Sequence, residues 1–179
     1  MDREEGGILE ALDRAVASET VRPIIEAAVT RLERWLRERP DDDLAWEPIP
    51  LDSYAEPIPE SIRSSWVFVL RANTSTGAER HPNSHQRMMS YRGSGDLQTR
   101  PERDWCSHPL TSDRSASIAK RWVSIPALVW HQGVVPEENW VVVSFHTVAE
   151  QELIEERPAA EEEEAVHRRA YLGDPNDDK

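Results

Sequence analysis

The chain predicts a mainly β protein: an antiparallel barrel or sandwich over residues 64–150, two α-helices before it and an acidic tail after it. From Trp66 onward, short β-branched and aromatic runs alternate with Gly, Pro and Asn turns. That is the pattern of short strands in a barrel or a two-layered sheet. Before Pro40 the apolar residues recur at helical spacing instead. After Glu150 the chain turns acidic and poor in apolar residues.

Residues 4–39 read as two helices, and residues 1–39 as a unit that packs on the barrel or on a partner subunit, in a homodimer. In the second helix Ile25, Ala28, Val29, Leu32, Trp35 and Leu36 form one stripe, too wide to leave in water. Thr20 is placed to cap it, Pro23 suits an early helical position, and Pro40 stops it. Residues 40–63 carry five prolines, at 40, 48, 50, 57 and 59, which predicts an extended crossing segment without a regular ladder. Strands are expected at Trp66–Ala72, Gln86–Tyr91, Arg121–Ile125 and Asn139–Thr147. Asn73–Gly77 and Arg92–Asp96 read as turns, and residues 101–119 as a long polar loop. Residues 151–179 form the tail, with a frayed helix over Glu161–Tyr171 and disorder from Gly173 to Lys179.

With 21 basic and 34 acidic residues the formal charge is −13. A nucleic-acid surface needs a basic stripe and is excluded on that ground. Asp41–Asp43 and Glu161–Glu164 hold much of the acid, which serves solubility more than substrate. Cys106 is the only cysteine, so no intrachain disulfide forms. A chain of 179 residues can bury a core without one. The N-terminal Met-Asp-Arg-Glu-Glu lacks an apolar signal core, and no apolar run approaches the roughly 20 residues that span a membrane. A cytoplasmic protein without membrane or nucleic-acid partners is the expectation.

Two segments carry the chemistry. The first runs Glu79-Arg-His81-Pro-Asn-Ser-His85-Gln86 and on to Gly93. The second runs Pro126-Ala-Leu-Val-Trp-His131. Together they resemble the two motifs of the cupin superfamily. Glu79-x-His81, four residues, Gln86, six residues and Gly93 fill the frame HxH, E and G of the first motif. Pro126 and His131 fit the P-x-G-x-x-H of the second. Glu79 stands for the first His of that family, Gln86 for its Glu, and Leu128 for the Gly of the second motif. Lys120 and Val135 replace that motif's opening Gly and closing Asn. The resemblance covers residues 64–148 and implies an antiparallel jelly-roll barrel that binds one divalent transition metal ion (Fe, Mn, Ni, Cu or Zn).

Glu79 and His81 are two apart, so on a strand they face the same side. His131 comes from far along the chain, and only barrel closure brings it to them. Two His and one carboxylate leave open positions on a metal. Gln86 offers a weaker, neutral amide oxygen. His85 takes its place as a ligand if the strand begins one residue differently. Met88 and Ser90 share the inward parity of Gln86 and are expected to line the pocket, with Arg87 and Tyr91 pointing the other way. His146 either lines the pocket or is a hydrogen-bonded core histidine. Arg71 and Arg121 either meet an anionic substrate or form surface ion pairs.

The resemblance implies a metal-dependent enzyme, dioxygenase-like, acting on a small organic molecule in the barrel mouth. Two rivals share the fold. One is a non-catalytic binding or sensing module. The other is a metal-free isomerase or epimerase with His as general base, which needs a His paired with a carboxylate.

Overall fold

The computed structural model describes residues 3–159 and 166–172. Along the chain come α1 (Arg3–Ala17), α2 (Arg22–Glu38), β1 (Leu44–Pro48), β2 (Ser64–Leu70), β3 (Gln86–Arg92), β4 (Ser94–Arg100) and β5 (Cys106–Thr111). There follow α3 (Ile118–Arg121), β6 (Trp122–Ile125), β7 (Trp130–Val134), β8 (Trp140–His146), β9 (Ile154–Pro158) and β10 (Val166–Ala170). A five-stranded sheet has the order β1-β2-β8-β3-β6, a three-stranded sheet the order β5-β4-β7, and β9 pairs with β10. The paired strands all run antiparallel. No helix among the described residues is long and apolar enough to cross a membrane.

Every residue of β2 and β8 is buried, because each face of their sheet is covered by a different partner. Val67, Val69, Met89, Val141, Val143 and Phe145 point outward and meet the stripes of α1 and α2. Trp66, Phe68, Leu70, Met88, Trp140 and Val142 point inward and meet Leu97 and Leu110 of the smaller sheet. The period-two alternation of the strands thus serves two cores at once. The helical stripe, with Ile25, Ala28, Val29, Leu32 and Leu36 buried, is covered by the chain's own sheet. It needs no second subunit to leave water.

Several local expectations are corrected. Val21, not Thr20, caps α2, and it does so without a side-chain hydrogen bond. The proline-rich segment contains β1, which pairs with β2 from Leu44 opposite Leu70 to Pro48 opposite Trp66. Proline is tolerated there because β1 is an edge strand. Gly93, at φ 84°, makes the turn on its own, and β4 begins at Ser94. The polar stretch after residue 101 holds β5 and α3. The expected helix over Glu161–Tyr171 lies partly outside the described residues, as does the end from Gly173. Its described part, Val166–Ala170, is a strand paired with β9. Neither strand has an apolar alternation, so pairing and not pattern makes them strands. Arg71 donates to the carbonyls of Leu36, Arg39 and Asp42, closing the end of α2 rather than meeting a substrate.

Ion pairs sew the helices to the sheet. Arg87 donates two 2.7 Å hydrogen bonds to Glu5, which also accepts from Ser124 at 2.6 Å. Arg121 forms a two-pronged pair with Asp13, one bond being 2.9 Å, and Trp122 Nε1 donates to the same carboxylate at 2.9 Å. Burial works to raise the Asp13 pKa, but the bonds from Arg121 and Trp122 and the charges of Arg121 and Arg114 outweigh it, so it is lowered.

Asp13→Asn should therefore cost about 2 kcal/mol near neutral pH, the loss expected for hydrogen bonds to a charged partner. The depressed folded pKa makes this stabilisation full above the unfolded value of about 3.9 and lost as pH falls through the folded one. Denaturant melts of both proteins between pH 7 and 2.5 should show the gap closing only below about pH 4. Gly95→Ala tests the packing between the sheets, since a Cβ there would sit 2.2 Å from Trp140 Cε3. The expected loss is about 1–3 kcal/mol, read from the same melts.

Candidate metal centre

Backbone pairing assembles this site. Glu79 and His131 exchange both backbone hydrogen bonds, at 2.9 and 2.8 Å, as an antiparallel bridge beside β7. A directly opposed pair of this kind puts both side chains on one face about 5 Å apart. His81 follows two residues after Glu79 and returns to that face. Between them Arg80 pairs with Glu156 of β9 in the same way, at 3.0 and 2.9 Å. The Leu128 N–H donates to the His81 carbonyl at 3.0 Å. The segment 79–81 is thus a strand in all but name, held between β7 and β9.

Glu79, His81 and His131 converge, their donor atoms all within 4.8 Å of one another. Two ligands each ~2 Å from one ion lie up to ~4 Å apart, so the set is close to closed. The His81 and His131 rings are 5.4 Å apart, centre to centre. His81 Nδ1 lies 2.9 Å from the Ile154 carbonyl, and His131 Nδ1 lies 3.2 Å from the Val129 carbonyl. A carbonyl only accepts, so each Nδ1 carries the proton and each Nε2 presents a lone pair. That is the usual outer arrangement of metal-binding histidines. His131 Nε2 is buried without a hydrogen-bond partner, 3.5 Å from Glu79 Oε1. A nitrogen facing a carboxylate oxygen at that distance is satisfied by a bound cation or by a proton of its own.

Gln86, the first residue of β3, reaches the same space from the opposing sheet and is buried. Its Nε2 donates to Ser144 at 3.0 Å, while its Oε1 is buried without a partner. The two orphaned acceptors, His131 Nε2 and Gln86 Oε1, belong to residues that line one cavity of about 40 Å³ together with Glu79. This donor set fits a divalent transition metal.

Electrostatics keep the donors in their ligand forms. Burial and the neighbouring His131 charge push His81 down to about 4, so it stays neutral. Burial would raise Glu79, but His131 and His81 in their protonated forms, with the Arg157 guanidinium, hold it below the usual carboxylate range. Arg157 of β9 donates to Glu79 Oε2 at 2.6 Å, leaving Oε1 to face His131. Arg157 is itself fixed by Glu155 at 2.8 Å and the Thr76 carbonyl at 3.0 Å.

His85 is not part of the site. Strand alternation turns it to the helix side, where Nε2 bonds Ser124 at 2.6 Å and lies 4.0 Å from Glu5. Met88 lines the cavity, but Ser90 does not. Ser90 points inward at the far end of β3, where it accepts from Trp140 Nε1 and donates to the Gly93 carbonyl. His146 is a hydrogen-bonded core residue behind His81, its rings 5.0 Å away, with Ser84 at 3.2 Å and Ser144 at 3.1 Å. Burial and the charges of His81 and His131 push its pKa well below the ordinary value. Arg121 is taken by Asp13. Sequence reasoning missed Arg157, Tyr171 and the Ile154 carbonyl, all in the presumed tail. A lone tyrosine in an otherwise apolar-poor stretch was the one available signal.

Among solved structures, the salicylate 1,2-dioxygenase of Pseudoaminobacter salicylatoxidans, in adducts with gentisate, matches with a TM-score of 0.50 at 14% identity. The match covers 70% of this chain and 31% of that one. The chain has the cupin fold. The capsular polysaccharide assembling protein CapF of Staphylococcus aureus matches at 14% identity and TM-score 0.46, over 60% of this chain and 27% of its own. An oxalate oxidase in complex with the substrate analogue glycolate matches at 13% identity and TM-score 0.44, over 59% and 51%. This chain thus spans about half or less of these proteins. No protein-family model and no curated protein matches it.

The second motif keeps its backbone even where its residue has changed. Leu128, at the motif's glycine position, holds φ 68° and is 55% exposed. A left-handed leucine costs about 1–2 kcal/mol, part of which glycine returns as chain entropy. Leu128→Gly should stabilise the protein by about 0.5–1 kcal/mol in denaturant melts, with the site unchanged.

Proposed function

We propose that the protein is a cupin-type metalloenzyme that holds one divalent transition metal ion through Glu79, His81 and His131, with Gln86 beside them. The observation that carries this reading is the buried, unpartnered His131 Nε2 facing the Glu79 carboxylate. When bound, such an ion supplies Lewis acidity and open coordination positions to a small organic substrate. The chain's own residues do the rest. Arg157 fixes the Glu79 carboxylate, the Ile154 and Val129 carbonyls fix the imidazole tautomers, and Ser144 orients the Gln86 amide. Phe68, Leu70, Leu97 and Val142 line the same cavity and give it an apolar wall. Oxidoreductase chemistry of the dioxygenase kind follows from the motif resemblance, and a salicylate 1,2-dioxygenase shares the fold.

A second reading has its own support. Glu79 and His131 form the carboxylate–histidine pair that a metal-free isomerase or epimerase would use as its general base. Metal content separates the two.

Elemental analysis of protein purified without a chelating tag should give about one metal ion per chain. His131→Ala should abolish stoichiometric metal while the fold survives, because apolar strands carry the stability. Its loss of affinity should exceed the ~10–100-fold typical of removing an outer partner. Glu79→Gln should weaken binding less, since the amide oxygen still donates a lone pair. Gln86→Glu should bind at least as tightly as the wild type. Unchanged occupancy in all three would retire the metal reading in favour of the metal-free one.

A further inference from the structure

Tyr171 is a partition between two spaces. Inward lies the 40 Å³ cavity with Glu79, Gln86 and His131. That volume holds a water, which needs ~10–15 Å³, but is far below the ~300 Å³ of a small ligand pocket. Outward lies a cleft of about 220 Å³ lined by Trp46, Glu155, Arg157 and Arg169. Tyr171 and Leu44 line both. As folded, no organic molecule reaches the donors from this side without passing the tyrosine ring.

The ring sits in an aromatic box. Its centre lies 5.1 Å from Trp46, 5.4 Å from Trp66, 6.4 Å from Phe68 and 5.9 Å from His81, tilted or edge-on to each. Such contacts recognise a flat ring and its edge, not the peptide that carries it. Its tether is one strand pairing with a few side-chain ties. Among the described residues β10 pairs only with β9, and four of its five residues are exposed. A two-stranded hairpin is marginal in water. Arg168 and Arg169 pair from positions 59% and 66% exposed with the buried Glu156 and Glu155, acids that Arg80 and Arg157 also hold and that therefore keep a partner without β10. A further backbone bond runs from the Tyr171 N–H to the Leu153 carbonyl at 2.8 Å. A strongly complementary box is thus filled from a strand of a two-stranded hairpin.

We propose that Tyr171 is a built-in occupant of the substrate site: the box takes a planar, phenol-sized aromatic molecule, whose binding swings Tyr171 and the end of β10 outward. The proposal rests on the barrel interior being a ligand site, as in the function proposed above, but not on the metal. It names the substrate class as small aromatics and makes the hairpin a gate that ligand opens.

The probe is 4-methylphenol, the tyrosine side chain cut free at Cβ, titrated into the full, metal-free chain. Amide exchange over residues 166–171 should accelerate about tenfold as the phenol saturates, while β2 and β8 amides stay unchanged. Tyr171→Ala, lacking the internal competitor, should bind the phenol about tenfold more tightly than the wild type by calorimetry, as expected when the box is empty in about a tenth of wild-type molecules. Tyr171→Leu, which keeps an apolar anchor for β10, should behave likewise and serves if the alanine variant unfolds. Cyclohexanol, of similar size but not flat, should bind at least about tenfold more weakly than the phenol, the box being built for ring faces and edges. Unaccelerated exchange at 166–171 in the wild type, or equal phenol affinity in wild type and variants, would overturn the proposal. Equal binding of cyclohexanol would overturn the aromatic specificity. Because the chain is metal-free throughout, such a failure leaves the metal reading standing, and loss of the metal leaves this test intact.

Discussion

Two backbone hydrogen bonds between Glu79 and His131 set the geometry on which the site depends. They join residues 52 positions apart as directly opposed neighbours, and the side chains of such a pair must share a face. Once that register holds, His81 follows by strand alternation, and the three donors meet without any further adjustment of the chain. The register is itself reinforced from both sides. Leu128 N–H ties the second motif to His81, and Arg80 ties the first motif to β9. A slip of one residue would turn Glu79 and His81 to the opposite face and bring Arg80 into their place. The polar site is therefore as well specified as the apolar core beside it.

The five-stranded sheet separates stability from chemistry. Its outer face, with Val67, Val69, Val143 and Phe145, is sealed by the helices and needs nothing from the site. Its inner face is apolar at Trp66, Phe68 and Val142 and turns polar only towards Gln86, Ser144 and His146. This layout lets buried acceptors such as His131 Nε2 and Gln86 Oε1 go unpaired, at a cost of about 1–3 kcal/mol each, without threatening the fold. A cation would recover that cost. The hairpin β9–β10 joins the two regimes, since Arg157 holds a donor carboxylate and Tyr171 closes the space above it.

Much of this was readable from single residues. The spacing Glu79-x-His81 implied a shared face, Gly93 implied a turn, and the positions of Pro126 and His131 implied the partner strand. The inward parity of Gln86 and Met88 followed from the same alternation, and the helical stripe from Ile25 to Leu36 announced two packed helices. His85 was the ambiguous position, because a one-residue shift in where β3 begins exchanges it with Gln86. Only the pairing of Gln86 opposite His146 and Ile125 resolves it. Leu128 misled in a different way: a glycine position occupied by leucine still adopts the left-handed backbone, since the turn into β7 demands it.

The sequence by itself determined where the chain is apolar and with what period, and hence the helices, the strands β2, β3 and β8, and the two motifs. Periodicity is a local property, and local properties survive in a linear string. Tertiary structure alone decided β4, β5, β9 and β10, whose polar residues become strands only because a neighbouring backbone offers hydrogen bonds. It alone decided that Arg157 grips Glu79 and that Tyr171, at the end of an acidic stretch, fills an aromatic box made by Trp46, Trp66, Phe68 and His81. Those contacts join residues about 80 to 125 apart in the chain, and no local propensity carries information over such a distance.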